Sequence, residues 1–257
     1  MNSISVSDTV LKIEKLNIVF NSYVYRRETI RDRFVRAVGS PLSSLRSNKN
    51  QLHVLKDFNL EVKKGERLGI LGHNGSGKTT LCRCIAGMLI PSTGRISVNG
   101  TRRSIFNTTI GIIPELTGRE NAYLLSVLMF PELENDERND LLEEALEFSE
   151  LGDFLDTPYM HYSKGMQARL CLSVISSNEC DLLILDEVFD GADMFFQEKI
   201  AKRVLNLIKN SGAVVFVSHN LEQIRTACNQ VMVIDGGNAW FKGDVEEGIK
   251  LYTSRGH

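Results

Sequence analysis

"ERLGILGHNGSGKT", residues 66–79, changes character halfway along. Its first half is a short apolar run of the kind that fills a strand buried on both faces. Its second half, Gly72 to Thr79, fits G-x-x-x-x-G-K-[ST] and opens a predicted helix. Strand, loop and helix in that order form the context in which this pattern holds a polyphosphate. The glycines let main-chain N–H groups wrap an anion across Gly72, His73, Asn74, Gly75, Ser76 and Gly77. The helix start, through Thr79 and Thr80, adds positive potential. Lys78 supplies a point charge to the β- and γ-phosphates, and Thr79 offers a hydroxyl to Mg²⁺.

Outward from that loop, the pattern alternates strands and helices. Residues 10–20 and 52–62 alternate apolar and polar and read as strands. "RISVNG" (95–100) ends in Asn-Gly, a hairpin signal. Thr117 and Glu120 form a capping box that opens a helix to about Phe130, and residues 137–151 have helical periodicity with an acidic face. A further helix begins near Ser163. Then "DLLILD" (181–186), a helix over 194–209, "AVVFVS" (213–218), a helix over 220–227 and "QVMVID" (230–235) follow in turn. That succession predicts one α/β domain over 1–257 with a mainly parallel sheet flanked by helices. Residues 21–51 interrupt the pattern: basic, then rich in Ser, Pro and Asn, they read as an insertion.

Three further stretches carry chemistry. In "DLLILDEVF" (181–189) a buried strand ends in two carboxylates, a costly arrangement unless they face a cation or a reacting water. Asp186 is placed to bind Mg²⁺, and Glu187 to polarise an attacking water. In "YSKGMQARL" (162–170) Ser163 reads as a helix N-cap and Gly165 allows close backbone approach at an anion-favouring helix start. In "VFVSHN" (215–220) His219 follows a buried strand, within reach of a γ-phosphate or of Glu187. Alone, the last two are an ordinary capped helix and an ordinary strand-end histidine. Their order and company give them meaning.

Composition narrows the field. A net charge of −2 does not favour bulk nucleic-acid binding. Stretches such as "YLLSVLMF" (123–130) fall well short of the ~20 residues that span a bilayer, and "MNSISVSDTV" has no basic and apolar leader pattern, which places the chain in the cytoplasm. Cys82, Cys84, Cys171, Cys180 and Cys228 include no C-x-x-C pair and read as reduced thiols in or near the core.

Taken together, the four motifs resemble the ATP-binding cassette ATPases over nearly the whole chain. The resemblance implies a P-loop NTPase core with an N-terminal antiparallel β part and an inserted helical subdomain over about 110–178. It implies that Ser163-Lys164-Gly165 is the signature loop, which completes the ATP site of an opposite subunit, so that two copies act as a homodimer. Gly191-Ala192-Asp193 would be the loop linking the two sites, and His219 the switch histidine. Tyr23 and Tyr25 are both candidates for stacking on adenine. Two departures stand out. The usual L-S-G-G-Q reads Tyr162-Ser163-Lys164-Gly165-Met166, and residues 105–116 contain no glutamine where the family has one; Glu115 and Asn107 are the polar residues nearby.

"PELTGREN" (114–121), "YSKGMQARL" and "DEVFDGADMFFQEK" (186–199) look like the branch that exports polysaccharides: O-antigen, capsule and teichoic-acid polymers. In that branch a Phe and a Lys follow the linking loop at the spacing of Phe196 and Lys199. The branch implies integral membrane permease subunits as partners, a lipid-linked polysaccharide as indirect cargo, and a peripheral place on the cytoplasmic face of the inner membrane. "YRRETIRDRF" (25–34) fits that setting. Arg26, Arg27, Arg31, Arg33 and Arg36 against Glu28 and Asp32 leave about +3, or roughly 3 kcal/mol near an anionic leaflet. That is too little to anchor the chain without a membrane-spanning partner. With His257 closing the chain soon after "DVEEGIKLYTS", no added carbohydrate-binding domain is expected. Two other readings stay open: a cassette exporting a lipid or drug, and a soluble ATP-driven switch in translation or DNA maintenance.

Overall fold

The computed structural model describes residues 8–22, 50–106, 111–186 and 194–254. Tyr23, Tyr25, the arginines of 26–36, Asn107, Glu187 and Gly191-Ala192-Asp193 lie outside the described residues.

Two sheets organise the chain. The smaller is antiparallel, in the order β2-β1-β4: β1 (Thr9–Ser22), β2 (Asn50–Lys63) and β4 (Thr93–Val98). β1 and β2 pair out to Ser22 and Asn50, so the strands extend into both ends of the stretch that the sequence reads as insertion. The larger sheet has six strands in the order β5-β6-β7-β3-β8-β9: β3 (Arg67–Leu71), β5 (Arg102–Ile105), β6 (Leu182–Asp186), β7 (Ala213–Val217), β8 (Gln230–Asp235) and β9 (Asn238–Gly243). All are parallel except the edge strand β9.

Side-chain alternation explains why these strands read as unbroken apolar runs. Leu182 and Ile184 of β6, with Val215 and Val217 of β7, face one core shared with the small sheet and helix α1 (Lys78–Ile85). Leu183, Leu185, Val214 and Phe216 face a second core built with helices. Those helices are α2 (Gly118–Met129), α3 (Asn135–Ser149), α4 (Lys164–Ile175), α5 (Met194–Asn210), α6 (Leu221–Ala227) and α7 (Val245–Ser254). All five cysteines are buried. Burial pushes the Cys84 and Cys171 thiols up to about 11 and that of Cys228 up to about 12, as expected of inert core thiols.

Asn99-Gly100 is not a hairpin turn, because β4 and β5 belong to different sheets. The dipeptide carries the chain across the gap. Asn99 donates from N–H to Val10 O at 2.9 Å and from its side chain to Thr9 O at 2.8 Å. Gly100, at φ 95°, lies where a Cβ would collide with Asp181, whose carboxylate accepts from Thr101 N–H at 2.7 Å.

The helical side is tied to the sheet by a buried cation. Arg103 of β5 is 5% exposed and lies over the Phe130 ring, 4.4 Å from its centroid. It donates to Met129 O at 3.2 Å and to Glu179 O, and pairs with Glu132. Replacing it by Met leaves two inward carbonyls without their donor, worth about 2–3 kcal/mol. Arg103→Met is expected to lose that much stability in urea unfolding; an unchanged midpoint would refute the tie.

Candidate functional site

In a parallel sheet the C-terminal strand ends share one edge, and polar groups that the two cores exclude gather there. Register places the ends of four strands together. Asp186 pairs with Val217, Ile70 pairs with Val217 on the other side of β7, and Leu71 pairs with Val233. The phosphate-loop candidate leaves β3, Asp186 closes β6, His219 stands two residues past β7, and Asp235 closes β8.

The loop is held from three directions. At Gly72 a Cβ would come within 2.5 Å of Ile234 O and 2.6 Å of Ser76 Oγ, so only glycine lets the strand end pass. Gly77, at φ 103°, is the N-cap of α1 and packs against Val54 and Leu55 of β2. It contributes no side-chain cap, so the first N–H groups of α1 keep their donor capacity. Lys78 is buried, and its ammonium donates to Gly72 O at 2.6 Å and His73 O at 3.1 Å. Thr79 and Asn74 are exposed, as is Gly75 (φ 83°), while Thr80 is half-buried.

The donor set fits a magnesium triphosphate. Ser76 Oγ is a buried hydroxyl with no hydrogen-bond partner among the described residues, an expensive state for a polar group unless a ligand uses it. Beside it stand an ammonium, a threonine hydroxyl and the buried carboxylate of Asp186.

His73 does something the motif does not call for. Its Nδ1 lies 2.9 Å from Asn74 O and its Nε2 3.0 Å from Asp235 Oδ1. Both partners are acceptors, so a protonated ring, with an N–H on each nitrogen, satisfies both contacts at once. The Asn74 carbonyl first, then Asp235, hold its pKa above the ordinary histidine value, against small opposing effects of burial and Lys78.

Ser163 and Gly165 stand elsewhere, at the start of α4, which packs chiefly on α2 and α3. Ser163 accepts from Met166 N–H at 3.2 Å as the N-cap. The preceding Tyr162 is buried, donates to Phe154 O at 2.6 Å, and is pushed up to about 12 by burial, so it stays a donor. His219 is exposed, and Glu115 is exposed on the segment before α2.

Several residues that pattern reading passes over belong to this region. Val54 and Leu55 back the phosphate loop, and Asp235 holds His73. Asn121, fully buried, donates to the carbonyls of Ile113, Leu116 and Thr117 and accepts from Ile113 N–H at 2.8 Å, fixing the segment before α2. Phe20 and Leu52 are paired across β1 and β2 and are exposed, one step beyond the buried pair Ile18–Leu55 that abuts the loop.

Fold and strand-edge site together define a P-loop nucleotide-binding cassette. Residues 55–190 match the ABC transporter family, and the chain belongs to it. The chain is similar to the O-antigen export system ATP-binding protein RfbB of Klebsiella pneumoniae, with 39% identity over 198 residues, 77% of this chain and 80% of that protein. Identity to the O-antigen export protein RfbE of Yersinia enterocolitica is 33% over 230 residues, covering 89% and 95%. The teichoic acids export protein TagH of Staphylococcus haemolyticus is 33% identical over 207 residues, covering 80% and 77%. Among solved structures, an ATP-binding subunit of an ABC transporter superposes with TM-score 0.70 at 24% identity, covering 97% of this chain and 95% of that one. A dimeric ATP-binding cassette bound to ADP and Pi superposes with TM-score 0.67 at 20% identity, covering 91% and 98%. The α/β P-loop cassette fold expected from the sequence is therefore the fold observed.

The His73–Asp235 pair makes a signed prediction. A raised folded-state pKa gives stability that is complete below the unfolded value of about 6.5 and is lost as pH rises through the higher folded value. The partners are 40% and 42% exposed, so solvent screening keeps the effect small. The Tm advantage of the natural chain over His73→Gln is expected to be greatest near about pH 6 and to vanish in alkali. A gap that grows with pH would show the ring to be neutral.

Proposed function

We propose that this chain is the ATP-hydrolysing subunit of an exporter of a lipid-linked polysaccharide, O-antigen first, with capsule or teichoic acid polymers in the same class. Two copies work face to face beneath integral membrane permease subunits, on the cytoplasmic face of the inner membrane. The observation that carries the reading is the convergence of the glycine loop, Lys78 and Asp186 at one sheet edge. The identity to O-antigen export proteins over most of both chains supports the branch.

In this reading the loop from Gly72 to Thr80 binds the polyphosphate through main-chain N–H groups, and Lys78 offsets the negative charge. Magnesium ATP, when bound, supplies the polarised γ-phosphoryl group. Thr79 and Asp186 hold the metal. Glu187 orients the attacking water and takes its proton, and His219 steadies the γ-phosphate side. Ser163 and Gly165 of the opposite copy cover the triphosphate from the other side. For the base, Tyr23 and Tyr25 remain candidates. Phe20 joins them, because it follows Ile18 by two residues on β1 and is exposed.

No helix of the described residues is long and apolar enough to cross a membrane. Exposed apolar side chains suit docking to a partner that does cross: Ile90 at 89%, with Met88 after α1 and Tyr123 and Leu128 on α2.

Glu187→Gln is expected to trap ATP-bound dimers with turnover reduced at least about a hundredfold, measured by phosphate release and size-exclusion chromatography. Hydrolysis at the natural rate would remove the base assignment. Cells lacking the chain are expected to accumulate lipid-linked polymer internally; normal surface polymer would overturn the cargo class.

A further inference from the structure

Glu150 is the C-cap of α3, and its backbone is left-handed, at φ 56° and ψ 31°. Glycine is the usual occupant of such a position, since any Cβ is strained there. Strain kept at a non-glycine residue calls for a compensating interaction, and the side chain shows one. The Glu150 carboxylate pairs with Lys199 of α5 and lies 3.7 Å from the guanidinium of Arg169 of α4. Three helices therefore meet on one carboxylate.

The surroundings reinforce the junction. Lys199 also donates to Phe148 O at 3.0 Å, at the negative end of α3, and sits 4.3 Å from the Phe148 ring centroid. Arg169 lies over Phe196 of α5, 4.9 Å from its centroid, and Phe196 is 2% exposed. Phe148 and Phe196 meet edge to face at 5.9 Å. Each cation is held by both an anion and an aromatic face, which fixes direction as well as distance.

The junction's place in the chain gives it consequence. Arg169 stands six residues after Ser163 on the same helix, and Phe196 nine residues after Glu187. We propose that Glu150, Arg169, Phe196 and Lys199 are positioning residues for ATP hydrolysis. They clamp the serine-led helix α4 to α5, the helix that follows the base-bearing stretch in the sequence, so that α4 and α5 are set as one unit. None of the four is assigned to touch nucleotide. The proposal rests on the cassette reading above.

A second α3–α5 contact provides an internal control. Arg203 holds Glu144 with two bonds of 2.7 Å, joining the same two helices without Glu150.

The test compares Glu150→Gly, Glu144→Gln and Glu187→Gln in the full chain, by ATPase kinetics and thermal unfolding. Glycine relieves the left-handed strain and removes only a half-exposed carboxylate, so Glu150→Gly is expected to keep or raise Tm. Its kcat is expected to fall roughly tenfold or more with KM for ATP unchanged, as when a remote change misplaces reacting groups. Glu144→Gln is expected to keep the natural kcat. The clamp is refuted if Glu150→Gly turns over normally, if its kcat and Tm fall together, or if Glu144→Gln loses as much kcat. Failure of the cassette reading looks different: Glu187→Gln then hydrolyses at the natural rate, and the clamp falls with it.

Discussion

Lys78 is 7% exposed and sits at the positive end of α1. Both circumstances disfavour an ammonium, through lost hydration and through the helix dipole. Two carbonyls of its own loop, Gly72 O and His73 O, compensate by turning inward onto it. That curl is possible because Gly72 has no Cβ to strike Ile234 O and Ser76 Oγ, and Gly77 can adopt a positive φ. The cation thus fixes the loop's shape. Remove the charge and the inward carbonyls have no reason to stay.

The same loop depends on its neighbours at the sheet edge. Both faces of the large sheet are buried, one under the small sheet and α1, the other under the remaining helices. Polar chemistry has little room except at strand ends. The order β6-β7-β3-β8 brings the ends bearing Asp186, His219, the loop and Asp235 side by side. The His73–Asp235 pair ties the loop to the end of β8, and Lys56 N–H donates to Gly237 O in the turn that follows. The loop is anchored on both sides.

Much of this was legible from local pattern. Apolar runs such as "LLIL" and "AVVFV" report burial on two faces, and Gly-x-x-x-x-Gly-Lys-Thr reports a tight turn from strand into helix, because each signal is contained in a few adjacent residues. The Thr117–Glu120 capping box also formed as read. What escaped depends on partners distant in sequence. Asn99-Gly100 has hairpin chemistry, yet its strands enter different sheets, and only Val10, Thr9 and Asp181 explain why. Val54, Leu55 and Asp235 carry no motif and matter only because they abut the loop. Glu150 reads as one more acid on an acidic helix until its backbone sign and its two cations are known.

The sequence leading into α4 also has a physical reason. Tyr162 extends its hydroxyl to Phe154 O and stacks on Tyr159 at 5.2 Å. A Cβ at residue 118 would overlap that hydroxyl, so Tyr162 requires Gly118. "TGREN" and "YSKGM" are therefore one packing unit. Backbone bonds extend it: Gly118 N–H donates to Thr157 O, Tyr159 N–H to Leu116 O at 2.8 Å and Met160 N–H to Pro114 O at 2.9 Å. Asn121 fixes the same segment from within. Main-chain bonds are indifferent to side-chain identity. A chain with no glutamine across residues 105–116 still holds the segment before α2 against the segment before α4, and Ser163 cannot shift without drawing both along.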